Sequence, residues 1–141
     1  MSGILVGIDG SDHSRKALEW AVREAGLRGS SLTVLAVHQV AANHWTGDPE
    51  IYPSDAPETE IVRQAAEDAV HKAVSQAGGP APTSVTVRAV TGIAAHELVT
   101  ASADADLVVL GSGGGGVLRK ALGSTSSQVV SHAHAPVVVI R

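Results

Sequence analysis

Short runs of apolar residues alternate along the chain with longer stretches in which apolar and polar residues mix. Five of these runs are rich in β-branched residues, and some are almost continuously apolar. That pattern is typical of strands buried on both faces of a sheet. The predicted strands are residues 4–8, 32–37, 85–90, 107–110 and 137–140.

Between the runs, apolar residues recur in pairs about four positions apart, the pattern of amphipathic helices. The predicted helices contain residues 17–25, 61–74, 94–101 and 125–133. Ser11 or Ser14 is expected to cap the first helix and Gly29 to end it. Thr125 and Gln128 have the spacing of a capping box at the start of the last helix. Strands that alternate with helices predict right-handed crossovers and a mostly parallel sheet.

Residues 39–57 interrupt this alternation. They contain three prolines and several acidic residues, so the segment is predicted to be a loop. It is longer than a connection requires, and such loops often cover sites. No internal repeat or linker divides the sequence, so residues 1–141 are expected to form one domain.

Composition and charge exclude some classes to which the protein could belong. The chain is 44% hydrophobic and 17% charged, has no cysteine and carries a formal net charge of −4. This composition is typical of globular proteins. The negative net charge does not favour a nucleic-acid partner, because nucleic-acid binding needs a basic surface. Residues 1–10 lack a basic region before their apolar run, so they are predicted to form a first strand and not a signal peptide. We therefore expect a cytoplasmic protein that does not associate with membranes.

Candidate chemistry follows the strands, because ligands bind at the carboxyl ends of strands in open α/β sheets. Residues 9–12 follow the first strand, residues 111–116 form a glycine-rich run after the fourth, and residues 123–126 open the last helix. Glycine lets a backbone approach a phosphate closely, and free N–H groups at a helix start attract anions. The alternative is a surface loop followed by an ordinary capped helix, and the residues alone leave both interpretations open.

Other motifs fit less well. Residues 111–116 match the dinucleotide pattern G-x-G-x-x-G, but they follow the fourth strand, and no acid lies after Asp106. The Walker pattern fails because Lys120 is preceded by Arg119 and followed by Ala121. His132 and His134 are two apart, so they point to different faces of a helix. We expect no histidine metal site.

The glycine-rich segment resembles the signature of universal stress proteins that bind ATP, which is G-x-x-G, a spacer and then G-[ST]. The matching residues are Gly111, Gly114, Gly123 and Ser124. Residues 4–11, 32–37, 104–112 and 132–141 are similar to other segments of that family, so the resemblance covers the whole chain. The spacer here has eight residues, 115–122, which is one fewer than in the family pattern.

The resemblance implies an α/β fold, an open five-stranded parallel sheet of order 3-2-1-4-5 with helices on both faces. This is a Rossmann-like architecture, similar to adenine nucleotide alpha hydrolases. It also implies roles for particular residues. Asp9 and the backbone of Val37 would meet the adenine and its sugar side, and Gly7 and Leu110 would line the adenine pocket. Gly111, Gly114 and Gly123 would surround the ribose and phosphates, and Ser124, Thr125 and Ser126 would donate to the phosphates. Without the resemblance, Asp9 is a turn or capping carboxylate after a strand.

The function that this resemblance implies is an ATP-binding regulatory module, with Mg²⁺ arriving on the triphosphate and little or no turnover. No Walker lysine or grouping of nucleophile and base supports fast catalysis. Two alternatives stay open: a slow ATP-hydrolysing enzyme, and an interaction module of the same fold that does not bind ATP. The apolar last strand, from Pro136 to Ile140, is expected to pair across a two-fold axis and form a homodimer.

Overall fold

A computed structural model of the chain describes residues 3–38, 56–112 and 124–141. Strands and helices alternate along it, as the apolar pattern predicts. In chain order the elements are β1 (Ile4–Ile8), α1 (Asp12–Arg28), β2 (Leu32–His38), α2 (Ala56–Ala77), β3 (Val85–Thr91), α3 (Ala94–Ser102), β4 (Leu107–Gly111), α4 (Ser124–His132) and β5 (Val137–Ile140).

The strands form one parallel sheet of order β3-β2-β1-β4-β5, which confirms the expected fold. β1 lies at its centre, and the chain order reverses between β1 and β4. Three strands end one residue later than predicted, at His38, Thr91 and Gly111. The apolar pattern does not include these three residues, but their backbones continue the strand pairing, with His38 opposite Thr91 and Gly111 opposite Ile140.

Side chains alternate between two hydrophobic cores, one on each face of the sheet. In β1, Ile4, Val6 and Ile8 pack with α1 and α2, whereas Leu5 packs with α3 and α4. Every residue of β1 is buried, as expected for a central parallel strand. None of the described helices combines the length and the apolarity that a membrane span requires.

The helix ends follow local chemistry. The Ser11 hydroxyl accepts a hydrogen bond from the Ser14 N–H and caps α1. α1 ends at Gly29, whose φ of 63° is left-handed, and α2 ends just before Gly78, whose φ is 71°. Only glycine adopts this conformation without steric cost.

Two boundaries differ from prediction. α2 begins at Ala56, so Pro57 lies within its first turn and not in the predicted loop. Proline is tolerated there because first-turn N–H groups have no partner within the helix. α4 begins at Ser124, so Thr125 lies inside the helix and is not its N-cap. Residues 39–55 of the predicted loop lie outside the described residues.

A buried serine connects α3 to the turn before β5. Ser102 has no exposed surface. Its hydroxyl donates to the Val99 carbonyl over 2.6 Å and accepts from the His134 N–H over 2.9 Å. This contact positions the chain where it enters the edge strand.

Replacing Ser102 with alanine should therefore destabilise the fold. The His134 N–H would lose its partner, and the loss of such a hydrogen bond costs about 0.5–1.5 kcal/mol. Ser75 is a matched control, because its hydroxyl bonds to the His71 carbonyl in an exposed position. Urea unfolding should show a loss of that size for Ser102→Ala and a change within about 0.5 kcal/mol for Ser75→Ala. Equal effects in both variants would contradict the role given to Ser102.

Candidate functional site

The central strands separate at their carboxyl ends. The β1–β2 ladder continues to Ile8↔Ala36, but the β1–β4 ladder ends at Val6↔Val109. β4 itself continues to Gly111, paired with β5. The sheet therefore opens between β1 and β4, at the topological switch point where α/β sheets bind ligands.

Asp9 lies directly after β1, at this opening. Its carboxylate Oδ1 accepts from the Ser11 N–H over 2.9 Å, and its own N–H donates to the Ser14 hydroxyl over 3.2 Å. These bonds form the turn that leads into α1, so the turn role considered for Asp9 exists in the structure. A carboxylate has two acceptor oxygens, so the second can also bind a ligand.

Gly111 is the point where three elements meet. A Cβ built on it would lie 2.6 Å from the carbonyl oxygen of His13, in the first turn of α1. Its own carbonyl accepts from the hydroxyl of Ser126 over 2.7 Å. The absence of a side chain at Gly111 therefore lets α1 and α4 approach the end of β4.

The structure gives Ser126 a partner other than a phosphate. Ser126 is 2% exposed, and its hydroxyl also lies 3.1 Å from the Ser112 carbonyl. A hydroxyl donates one proton, and the shorter bond goes to Gly111. To donate to a phosphate, as the family pattern suggests, Ser126 would have to release that bond.

The residues expected to line an adenine pocket lie against α3. Val37 and Leu110 are buried in the core on that face. A Cβ on Gly7 would lie 2.6 Å from a terminal methyl of Leu98. Leu98 therefore fills the space in front of Gly7. Val37 lies one residue beyond the last β1–β2 pair, so it is level with Asp9 at the carboxyl edge of the sheet.

The other predicted residues lie around the start of α4. Thr125 is half-buried in its first turn. Gly114, Gly123 and the side chain of Ser124 lie outside the described residues. Each helix follows a parallel strand, so the N-termini of all the described helices face this same edge. Their partial positive charges favour an anion here.

A cleft between α1 and α2 opens beside Asp9, and the sequence patterns do not predict it. It has a volume of about 170 Å³ and begins at Ile8 and Gly10. Its described lining consists of Ile8, Gly10, Ser11, Ser14, Arg15, Leu18, Ala65 and Ala69. The signal in the sequence is the pair Ala65 and Ala69, four apart on α2, and this spacing by itself indicates only one face of a helix.

Arg15, at the start of α1, and Arg63, two turns into α2, differ in their partners. Arg63 hydrogen-bonds to Glu60 and Glu67, and the bond from Arg63 lowers the pKa of Glu60 below its usual value. Arg15 lies 3.6 Å from Asp12, and both side chains are exposed. Arg15 is thus the less constrained of the two. No group of three metal-ligating side chains occurs within residues 3–38, 56–112 and 124–141.

Ser126→Ala should destabilise the protein in the absence of any nucleotide. The Gly111 carbonyl would lose its donor, and burial without a partner costs about 1–3 kcal/mol. Ser127, the next residue of α4, is exposed and provides the control. Denaturant unfolding should separate the variants, with Ser127→Ala within about 0.5 kcal/mol of the natural protein. If Ser126→Ala leaves stability unchanged, the hydroxyl does not hold this junction.

Comparisons with known proteins agree with this architecture. Residues 1–141 match the model of the universal stress protein family. A universal stress protein of Mycobacterium tuberculosis strain H37Rv is 38% identical over 98% of this chain. The alignment covers 47% of that protein, so the chain spans about half the length of the curated relatives it matches.

Solved structures of universal stress proteins are also similar to this chain. The universal stress protein UspA from Lactobacillus plantarum has a TM-score of 0.72 at 29% identity, over 99% of this chain and 97% of that one. A universal stress protein solved in complex with cAMP has a TM-score of 0.68 at 25% identity, over 99% and 96%. With the family model matched from end to end, the chain belongs to the universal stress protein family.

Proposed function

We propose that this chain binds an adenine nucleotide, ATP with Mg²⁺, at the carboxyl edge of the sheet between β1 and β4. The observation that carries the proposal is the early end of the β1–β4 ladder, with the starts of α1 and α4 meeting at Gly111. Helix starts and close glycine backbone suit phosphates. The similar universal stress protein solved with cAMP supports a nucleotide as the ligand.

The family pattern supplies the contacts that we propose. The free carboxylate oxygen of Asp9 and the backbone of Val37 would meet the nucleoside. Around the ribose and phosphates we place Gly111, Gly114, Gly123, Ser124 and Thr125, with Ser126 joining only if it releases the Gly111 carbonyl. Gly7 and Leu110 would line the adenine pocket, because they belong to β1 and β4, the strands that flank the opening.

ATP would act as a ligand that shifts a conformational or partner equilibrium and not as the substrate of a fast reaction. The proposed contacts are hydrogen-bond donors and glycine backbone, and the one carboxylate among them already holds a turn. The eight-residue spacer between Gly114 and Gly123 favours a second candidate, an interaction module of the same fold without ATP. In either case we propose that residues 1–141 act as one domain in the cytoplasm, where ATP is abundant.

Purified protein should retain an adenine nucleotide in native mass spectrometry and bind Mg²⁺-ATP in calorimetry. Gly123→Val should abolish binding because a side chain would occupy the space that the phosphates need. Asp9→Ala should weaken it about tenfold or more, which is about 1.4 kcal/mol. Gly79→Val is the matched control, since a Cβ on Gly79 meets open space.

If the natural protein binds neither ATP, AMP nor cAMP, the nucleotide proposal fails and the interaction module is the better candidate. A phosphate-release assay on the same samples tests the regulatory role. Turnover should stay well below the enzyme median of about 10 s⁻¹. Sustained release above that rate would show an enzyme.

We also propose a homodimer through β5, and this can be tested separately. β5 lies at one edge of the sheet, and its four residues are all apolar and half-buried. The opposite edge strand, β3, carries exposed Thr86, Arg88 and Thr91, and such polar residues discourage pairing. The apolar edge is therefore the better surface for a second copy.

Light scattering at high micromolar concentration should give the mass of a dimer. Val139 lies on β5 outside both described core clusters, so Val139→Lys should shift the protein towards monomer without unfolding it. Val85→Lys, on the β3 edge at a residue 36% exposed, should leave the dimer intact. A monomeric natural protein, or equal dissociation of both variants, would contradict this interface.

A further inference from the structure

We infer that the cleft between α1 and α2 is a second binding site, which takes a short aliphatic carboxylate. The aliphatic tail would lie along Ile8 of β1, Leu18 of α1 and Ala69 of α2, with the carboxylate at the mouth of the cleft, against Arg15. This ligand is a different molecule from the nucleotide, so the inference does not depend on the proposed nucleotide site.

The size of the cleft selects a small ligand. Its volume is about 170 Å³, whereas sites that enclose a drug-sized ligand measure roughly 300–1,000 Å³. Cavities of about 150 Å³ with aliphatic walls hold a molecule as large as benzene. The cleft therefore has room for a chain of about six carbon atoms and is too small for a nucleotide.

Small side chains keep this space open. Ala65 and Ala69 are four residues apart, so they occupy one face of α2, and both are half-buried. Ile8 and Leu18 are buried and close the inner end of the cleft with apolar surface. An aliphatic tail gains by leaving water there, whereas a polar group would lose its hydration without a partner.

The mouth of the cleft carries a cation that is held only weakly. Arg15 lines the cleft, and its side chain is 55% exposed. Its guanidinium lies 3.6 Å from the carboxylate of Asp12, whose side chain is 90% exposed. A solvated pair of this kind contributes little to stability, so Arg15 can exchange Asp12 for the carboxylate of a ligand at little cost.

The mouth also supplies a hydroxyl donor. The Ser11 hydroxyl accepts from the Ser14 N–H, and its own proton can point into the cleft, which Ser11 lines. The Ser14 hydroxyl donates to the Ser11 carbonyl and accepts from the Asp9 N–H, so its proton is already used. A guanidinium and a hydroxyl together match the two oxygens of a carboxylate.

The charges at the mouth favour an anion over a cation. Arg15 is the one charged residue in the described lining of the cleft. The nearby carboxylate of Asp9 accepts from the Ser11 N–H and holds the turn before α1. The start of α1 adds partial positive charge on the same side. An amine with the same tail would meet donors at the mouth, so the geometry selects a carboxylate.

The natural protein, free of nucleotide, tests the site by NMR titration with butyrate, hexanoate and octanoate. The methyl signals of Ile8 and Leu18 should shift, while those of Leu98, on the other face of the sheet, stay in place. Affinity should rise about fourfold for each added methylene, which is about 0.8 kcal/mol, until about six carbons fill the cleft. Hexylamine should leave these signals unchanged.

Two variants separate the tail from the carboxylate. Ala69→Leu should weaken hexanoate binding tenfold or more, because the added side chain fills the cleft, while the melting temperature stays the same or rises. Ala77→Leu is its matched control, a half-buried alanine that packs against the same core, about 12 Å farther along α2. Arg15→Gln should weaken hexanoate binding severalfold and leave hexanol binding unchanged. Arg23→Gln, at an exposed residue of the same helix, should change neither.

Several results would overturn the inference. They are equal affinity for the three acids, binding of hexylamine as strong as that of hexanoate, or no shift of the Ile8 and Leu18 signals at millimolar hexanoate. Loss of hexanoate binding in the control variants to the same extent would also contradict it. If Ala69→Leu does not fold, the chain-length series and Arg15→Gln decide. All these titrations omit nucleotide, so their outcome is separate from that of the nucleotide proposal.

Discussion

Contact at Gly111 holds together the elements on which the candidate site depends. The carbonyl oxygen of His13 lies where a side chain of Gly111 would be, and the hydroxyl of Ser126 donates to the Gly111 carbonyl. These contacts bring the starts of α1 and α4 to the end of β4, where β4 is no longer paired with β1. A residue larger than glycine would separate α1 from β4 and open the junction.

The two faces of the sheet are packed differently at this edge. On the α3 face, Leu98 fills the space in front of Gly7. On the α1 and α2 face, alanines at positions 65 and 69 leave a cleft. The chain has no phenylalanine, so small aliphatic residues set the spacing between helices and sheet. Space for a ligand therefore depends on which aliphatic side chain stands at a few helical positions.

Periodic apolar residues were sufficient to predict the strands and helices, because burial on both faces of a parallel sheet requires them. Glycines marked the end of α1 at Gly29 and of α2 at Gly78. The strand order came from the resemblance, since right-handed crossovers permit several orders. Side-chain partners could not be predicted in this way: a serine in the first turn of a helix can face a ligand or, like Ser126, a neighbouring carbonyl. The cleft between α1 and α2 could not be predicted either, because a pattern of alanines on α2 does not show how closely α1 approaches.

The end of β4 also adjoins the exposed edge of the sheet. Gly111 is in register with Ile140 of β5, and the N–H of Ser112 donates to the Ile140 carbonyl over 2.8 Å. One hydrogen bond thus separates the proposed phosphate site from the strand proposed to pair two copies. If a nucleotide alters the backbone at Gly111, the free energies of binding and of self-association become linked. Thermodynamic reciprocity then requires that association changes nucleotide affinity by the same factor by which the nucleotide changes association.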